Sequence, residues 1–333
     1  MSETPGPEGE APDRLPGHVV VLVPVYNDWR AAQLLLRRIA EELVPLGVMP
    51  EVVFIDDASP EPVPERWDPP VSAAPIRVEV LHLRRNLGHQ RALAVGMAHA
   101  SEQREADAVV LMDGDGEDAP EAIPRLLQAM LAEGGRKVIF AERQQRAERW
   151  FFQACYWCYR QLHRLLTGER IRFGNFSVIP WQLLRRVVSV SEIWNHYAAA
   201  LVRARVPFAL VPTDRARRLT GESKMSFIGL VIHGLSAISV FGEIIGVKLL
   251  IGSVLSFALL ALGLVGLVVY RIIQDQAVLS WALVLGALLV AGFIQIVALC
   301  LQFAFLVLQA RSNASFLPSR DYIYYVEGCE RIL

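Results

Sequence analysis

Cysteine is scarce in this chain: four in 333 residues, too few and too scattered for a disulfide framework. Cys155 and Cys158 form one CxxC inside the aromatic-rich helical pattern FFQACYWCYRQLHRLL. No second pair completes a zinc site, and packed thiols account for them. Net charge is also lacking. Lys and Arg number 33 against 34 Asp and Glu, a balance of −1, so there is no overall basic footprint for nucleic acid. No glycine-rich phosphate loop, GxGxxG or GxxxxGK[ST], follows the first apolar run. Residues 1–17 contain no apolar segment; polar and rich in Pro and Gly, they predict a disordered tail rather than a signal peptide or a membrane span. What the chain has in excess is hydrophobic residues, 53%, concentrated in its last third.

The organising stretch is VVLMDGDGEDAPE, Val109–Glu121. An apolar run reads as a buried strand, and Asp113, Asp115, Glu117 and Asp118 follow it at once. The acids therefore emerge at the carboxyl end of a strand, where open α/β sheets place ligands. Carboxylates alternating with Gly114 and Gly116 can wrap a hard divalent cation; an ordinary solvated acidic turn is the bland reading. The rest of the first half weighs against it. His18–Val25 ends in Pro24, Tyr26, Asn27 and Asp28, and a helix follows with Leu34, Leu35, Ile39 and Leu43 on one face. Glu51–Ile55 ends in Asp56 and Asp57. Val78–Leu83 ends in Arg84, Arg85, Asn86, Leu87 and Gly88, before a helix over 90–102. Pro120–Ala132 predicts another helix and Lys137–Ala141 another strand. Such alternation means βαβ units and a mainly parallel sheet, with one site assembled along one sheet edge.

Four motifs in this order, PVYND at Pro24–Asp28, IDDAS at Ile55–Ser59, RNLGHQRALAVGM at Arg85–Met97 and MDGDGEDAPE at Met112–Glu121, carry a resemblance across about 120 residues. The chain resembles the family-2 inverting glycosyltransferases of the GT-A fold, a Rossmann-like α/β sheet. Within them it is most similar to membrane-bound polyprenyl-phosphate glycosyltransferases, the dolichol-phosphate mannose synthase group. Those carry an RxxGxSK stretch, which compares with Arg218, Gly221, Ser223 and Lys224. The resemblance implies that Pro24, Tyr26 and Asp28 line a nucleotide pocket. It implies that Asp56 and Asp57 contact base or ribose, with Asn86 and Gly88 on the donor side. Asp113, Asp115 and Glu117 would hold Mg²⁺ or Mn²⁺ and the sugar diphosphate, Glu117 standing where relatives often have Gln. Arg143 and Arg146 would act on phosphate oxygens, and Arg149, Arg218, Ser223 and Lys224 would bind the acceptor or its phosphate. Arg170 and Arg172 belong to the same Arg-rich middle, for which a solvated face or lipid headgroups are the alternative. For His89 helix capping or packing is favoured over chemistry.

One position departs from the pattern. Relatives carry an acid in a GDF-like motif, proposed as the base, where this chain has Asn175. Asparagine is no useful proton acceptor. Either the acceptor is a phosphate, already anionic, or the base is Asp118. Glu192, Trp194, Asn195 and His196 lie beyond, on the acceptor side or in helix packing.

Leu249–Tyr270 and Val278–Ala310 contain no charged residue, and each can cross a hydrocarbon core of about 30 Å, which takes roughly 20 residues. The QDQ turn between them makes a helical hairpin. Lys248, Arg311 and Arg320 flank one side and Arg271 the other, which favours a cytosolic catalytic domain. Phe227–Ile245 reads as an interfacial helix. Gln295, Gln302 and Gln309 recur every seven residues, suited to hydrogen bonds within the hairpin or between subunits. The expected organisation is a tail (1–17), a GT-A domain (18–226), an interfacial helix (227–246), two transmembrane helices (247–311) and a cytoplasmic C-terminal tail (312–333).

The expected activity is a metal-dependent inverting transfer of sugar from a nucleotide-diphosphate sugar to a membrane lipid, polyprenyl phosphate above others, at the inner membrane, with a homo-oligomer plausible. A same-fold transferase acting on a hydroxyl and a silent nucleotide-sugar-binding membrane protein are the alternatives. A processive polysaccharide synthase fits less well, because its QxxRW signature is missing at Arg146–Trp150.

Overall fold

The computed structural model describes residues 15–67, 76–143, 161, 164–169, 173–214, 216–220, 227–274, 280–312 and 316–333. They fall into two units, and Phe241–Ser315 forms most of the second.

The first unit is built on an eight-stranded sheet. Its strands are β1 (His18–Val25), β2 (Met49–Asp56), β3 (Arg77–Leu83), β4 (Ala108–Leu111), β5 (Val138–Arg143), β6 (Ser177–Pro180), β7 (Phe208–Thr213) and β8 (Val326–Arg331), in the order β7-β5-β6-β4-β1-β2-β3-β8. Strands β4, β1, β2 and β3 are neighbours and parallel. All four therefore end on the same edge, which is the physical basis of the predicted shared site. Strand β6 runs antiparallel to β4 and β5, and β8 antiparallel to β3.

Both faces of the sheet are covered. Along β1, Val20 and Leu22 enter one core while Val19, Val21 and Val23 enter the other, the unbroken apolar run expected of a strand buried on both sides. Helix α1 (Trp29–Leu43) buries Trp29, Leu35, Leu36, Ile39 and Leu43; Leu34, expected on that face, is exposed. Helix α2 (His89–Gln103) covers the opposite face, burying Leu93, Val95 and Met97. Helix α3 (Ile123–Ala132) follows a 3₁₀ turn at Pro120–Ala122, and α4 (Trp181–Val188) and α5 (Tyr197–Arg203) complete the layers. Helix α6 (Phe227–Ser239) exposes Val231, Ile232 and Leu235.

Three expected boundaries are corrected. Leu15 packs on the core and the Gly17 carbonyl accepts from the Met49 amide at 2.8 Å, so the ordered fold starts before residue 18. The helix expected to run to residue 246 ends at Ser239, because α7 (Gly242–Ile273) begins after two intervening residues. Residues 316–333 are no tail: β8 pairs with β3, and Tyr322 is buried. The VEGCER sequence of β8 has no apolar alternation, so only its main-chain pairing identifies it as a strand.

The second unit contains α7 and α8 (Ser280–Ser312). Both are long and apolar enough to cross a membrane. They run antiparallel: Gly246 lies against Phe303, Ser253 near Cys300, Phe257 stacks on Phe293 at 3.8 Å, and Gly286 meets Leu264. Gln295 and Gln302 each lie two residues beyond a residue of that contact line and are exposed. Residues 275 and 276 of the QDQ turn lie outside the described residues, as does the side chain of Gln309.

Candidate active site

The acidic loop after β4 is tied first to itself. The Asp113 amide donates to Asp118 Oδ2 at 2.9 Å, and the Glu117 amide to Asp115 Oδ1 at 2.9 Å. Asp118 is 2% exposed, and through its bond to the Asp113 amide it braces the loop. Gly114 is required because a Cβ there would lie 2.8 Å from the Pro24 carbonyl oxygen, so the loop can run this close to the end of β1 only without a side chain.

Asp113 points toward the start of α2. Its Oδ1 lies 3.1 Å from His89 Nε2, and Asn175 Nδ2 lies 2.8 Å from the same nitrogen. The orientation of Asn175 follows from a chain of donors. The Tyr197 amide can only donate, and it donates to Gln90 Oε1 at 2.8 Å; Gln90 Nε2 then donates to Asn175 Oδ1 at 3.0 Å, leaving the Asn175 amide hydrogens for His89. One nitrogen serves one partner at a time: without a proton Nε2 accepts from Asn175, and with one it pairs with Asp113. The protonated form is favoured, because against the desolvation that lowers the His89 pKa the carboxylates of Asp113, Asp118 and Asp115 raise it. His89 was expected to cap or pack; Gly88 is the cap residue, and the imidazole faces the acids. His196 instead caps α5, accepting from the Ala199 amide, and its ring lies 4.7 Å from that of His233.

Asp115 is held from another direction: Arg218 Nη2 lies 2.6 Å from its Oδ2. Burial raises the Asp115 pKa above the usual carboxylate range, and Asp113 and Glu117 add to it; the Glu117 amide and Arg218 offset only part. A carboxylate so placed favours any cation that relieves the repulsion. Asp113, Asp115 and Glu117 were expected to form a ligand trio. Among the described residues no group of three or more His, Cys, Asp or Glu side chains is gathered as a metal cage, because Asp113 turns toward His89 and Asp115 toward Arg218.

On the donor side, Asp56 accepts from the Ser59 amide at 2.9 Å and lies 3.1 Å from His82 Nδ1. Together with Ser59, His82, Arg84, Glu327 and Glu330 it lines a cleft of about 530 Å³, one wall of which is β8. Asp57 does not face this cleft. Its two oxygens accept from the Leu87 and Gly88 amides at 2.6 and 2.8 Å. Burial raises its pKa, those amides lower it, and the net shift is upward. Expected as a nucleotide contact, Asp57 shapes the loop after β3. Asn86 is exposed on that loop, and Tyr26 is 46% exposed at the end of β1. Thr220 Oγ1 donates to Asp28 Oδ1 at 3.0 Å.

Asn27 links the two loops: its amide donates to Ser59 Oγ at 2.9 Å, and its Oδ1 accepts from the Glu61 amide at 3.1 Å. His82 and Gln90, like this bridge, escaped the sequence reading, since each acts only through a partner remote in sequence. Arg146, Arg149, Arg170, Arg172, Ser223 and Lys224 lie outside the described residues; Arg143 ends β5.

The glycosyl transferase family 2 model matches residues 20–187, half of the chain. The undecaprenyl-phosphate 4-deoxy-4-formamido-L-arabinose transferase of Enterobacter sp. (strain 638) is 27% identical over 259 residues, covering 73% of this chain and 76% of that protein. Among solved structures, glucosyl-3-phosphoglycerate synthase from Mycobacterium tuberculosis, in complex with Mn²⁺, UDP-glucose and phosphoglyceric acid, aligns with a TM-score of 0.47 at 14% identity, over 69% of this chain and 80% of that one. A second structure of that synthase gives a TM-score of 0.48 at 16% identity, over 69% and 81%. A parallel sheet with its acids gathered at one edge and a family model spanning residues 20–187 agree: the chain belongs to glycosyl transferase family 2 and is a glycosyltransferase.

Proposed function

We propose that this glycosyltransferase moves a sugar from a nucleoside-diphosphate sugar to a polyprenyl phosphate, with inversion, at the cytosolic face of a membrane. The observation that carries the reading is the meeting of Asp113, His89 and Asn175 beside an Asp115 that already holds a cationic partner. The acceptor class is supported by the name of the Enterobacter relative and by the chemistry of Asn175. A phosphate monoester, with a second pKa of about 6, is anionic near neutrality and needs no proton acceptor. An amide at this position therefore suits it better than a sugar hydroxyl. In the transfer, an acceptor phosphate oxygen forms its bond to the anomeric carbon while the bond from that carbon to the donor diphosphate oxygen breaks, and the nucleoside diphosphate leaves.

The site fits a divalent cation of the Mg²⁺ or Mn²⁺ kind. Mg²⁺ is usually held by one or two carboxylates together with substrate phosphates, and Asp113 and Asp115 are two hard oxygen donors on one loop. Bound there, the ion would supply neutralisation of the departing diphosphate. The chain's own residues do the rest. Asp118 braces the loop, the Gln90–Asn175 pair orients His89, Asp57 shapes the loop after β3, and Asp56 presents its carboxylate to the cleft. The membrane reading rests on the antiparallel pair α7 and α8, whose charged ends, Lys248 and Arg311 against Arg271, favour a cytosolic catalytic unit. The exposed apolar face of α6 suits an interfacial position.

The test is transfer of label from a panel of radiolabelled nucleotide sugars into extractable lipid, using membranes supplied with Mg²⁺ or Mn²⁺. Acid-labile labelled lipid, lowered at least about 100-fold in Asp115→Ala, supports the reading and names the donor. Label in a hydroxyl acceptor alone would remove the polyprenyl-phosphate assignment.

A further inference from the structure

Residues 216–220 lie along the acidic loop as a strap. The Ala216 amide donates to the Glu117 carbonyl at 3.0 Å, and the Leu219 amide to the Asp115 carbonyl at 2.9 Å. Leu219 fills the space over Gly116, where the backbone has φ +79° and an added Cβ would lie 2.3 Å from Leu219 Cγ. The Thr220 hydroxyl ties the end of the strap to Asp28 at the end of β1. Between these anchors Arg218 reaches Asp115, and both side chains are about four-fifths buried.

Asp115 is also one of the two carboxylates assigned above to a divalent cation. A guanidinium and a dication on one carboxylate would repel each other, the more so in a partly buried site. A sugar donor brings a diphosphate to the same place, and the guanidinium fork matches phosphate oxygens better than a carboxylate already claimed by a metal. The main-chain anchors of Ala216 and Leu219 do not involve the Arg218 side chain, so rotation of that side chain alone can change its partner.

We propose that Arg218 exchanges partners during the catalytic cycle: it neutralises Asp115 in the empty protein and pairs with the donor diphosphate once cation and donor are bound. The proposal rests on the nucleoside-diphosphate and divalent-cation reading above. It makes Arg218 a competitor of the metal and an ally of the nucleotide, and these two roles have opposite signs.

The test uses the full chain in lipid nanodiscs. Binding of Mn²⁺ alone is read from the electron paramagnetic resonance signal of the free ion. Binding of UDP, GDP, CDP and ADP at saturating Mn²⁺ is read by calorimetry. Arg218→Gln is expected to bind Mn²⁺ alone about five-fold more tightly, as expected for removal of a partly buried competing charge, and the preferred diphosphate about ten-fold more weakly. Arg218→Lys, which keeps the charge and loses the fork, is expected to leave Mn²⁺ affinity near that of the unaltered protein and to give an intermediate nucleotide affinity. A merely structural Arg218 would weaken both ligands together, and that outcome overturns the exchange, as does an unchanged Mn²⁺ affinity in Arg218→Gln. If the unaltered protein binds Mn²⁺ but none of the four nucleotides, the donor reading fails and the exchange fails with it. If it binds a nucleotide and the variants move both affinities in one direction, only the exchange fails.

Discussion

Two of the aspartates in this site show how little a residue's type says about its use. Asp56 and Asp57 are adjacent, yet the first faces the cleft and the second spends both oxygens on the amides of Leu87 and Gly88. Asp57→Asn replaces one acceptor with a donor that faces an N–H, and an unsatisfied buried group of this kind costs about 1–3 kcal/mol. The variant is expected to lower the melting temperature and raise the KM for the donor while changing kcat less. Asn175 offers a sharper test. Its side chain donates to His89 Nε2 when that nitrogen carries no proton and accepts from Gln90, a pattern a carboxylate cannot copy. Asn175→Asp is expected to reduce turnover with a phosphate acceptor about ten-fold, the cost of roughly one hydrogen bond. A rise in turnover would mean that a proton acceptor had been missing, and the argument for a phosphate acceptor would lose its support.

Among the elements, α2 connects the site to the far end of the fold. It begins at His89 beside Asp113 and carries His99 ten residues on, where the ring packs edge-on against Tyr322 at 6.0 Å. Burial, with the charge of Arg104 adding, lowers the His99 pKa to about 4. The unfolded chain therefore binds more protons between pH 6.5 and 4, and the stability is complete above pH 6.5 and declines as pH falls through that window. The loss amounts to about 2 kcal/mol at pH 5, an upper figure because the ring is partly solvated. Melting temperatures across pH 7.5–4.5 should fall less steeply in His99→Gln than in the unaltered protein. Parallel curves would show that another group governs acid sensitivity.

For the molecule as a whole, the chain leaves the sheet unit for the apolar hairpin and returns to finish the same sheet. Strand β8 covers the edge of β3, and the exposed Cys329 lies 3.4 Å from Glu79, whose side chain belongs to a buried group in which Arg104 pairs with Glu51 at 2.6 Å and with Glu79. Deleting residues 316–333 would bare the β3 edge and remove Tyr322 from the core, and a bare sheet edge is a template for aggregation. The truncated chain is expected in the aggregated fraction of a detergent extract, or with a melting temperature lowered by 10 °C or more, as roughly expected for loss of several kcal/mol from a domain of this size. An unchanged melting curve would restore the view of this segment as a tail. Extraction at alkaline pH should leave the full chain with the membrane pellet, and detergent should release it, if α7 and α8 span the bilayer.

How much of this was legible in advance follows from the range of the interactions. Strands β1 to β4 announce themselves because each is a contiguous apolar run, and a parallel arrangement sends their polar ends to one edge. The acids, the family and the two long apolar helices are likewise local patterns, and the sequence by itself determined them. Strand β8 and the role of Asp118 were not legible, because one rests on main-chain pairing with a strand some 250 positions earlier and the other on a loop amide five residues back. The donor chain through Tyr197, Gln90, Asn175 and His89 joins residues up to 107 positions apart. Arg218 meets Asp115 across 103. Hydrogen-bond direction and charge pairing act over about 3 Å in space with no regard to separation along the chain, so only the tertiary structure decided which of the many acids, amides and arginines form the site.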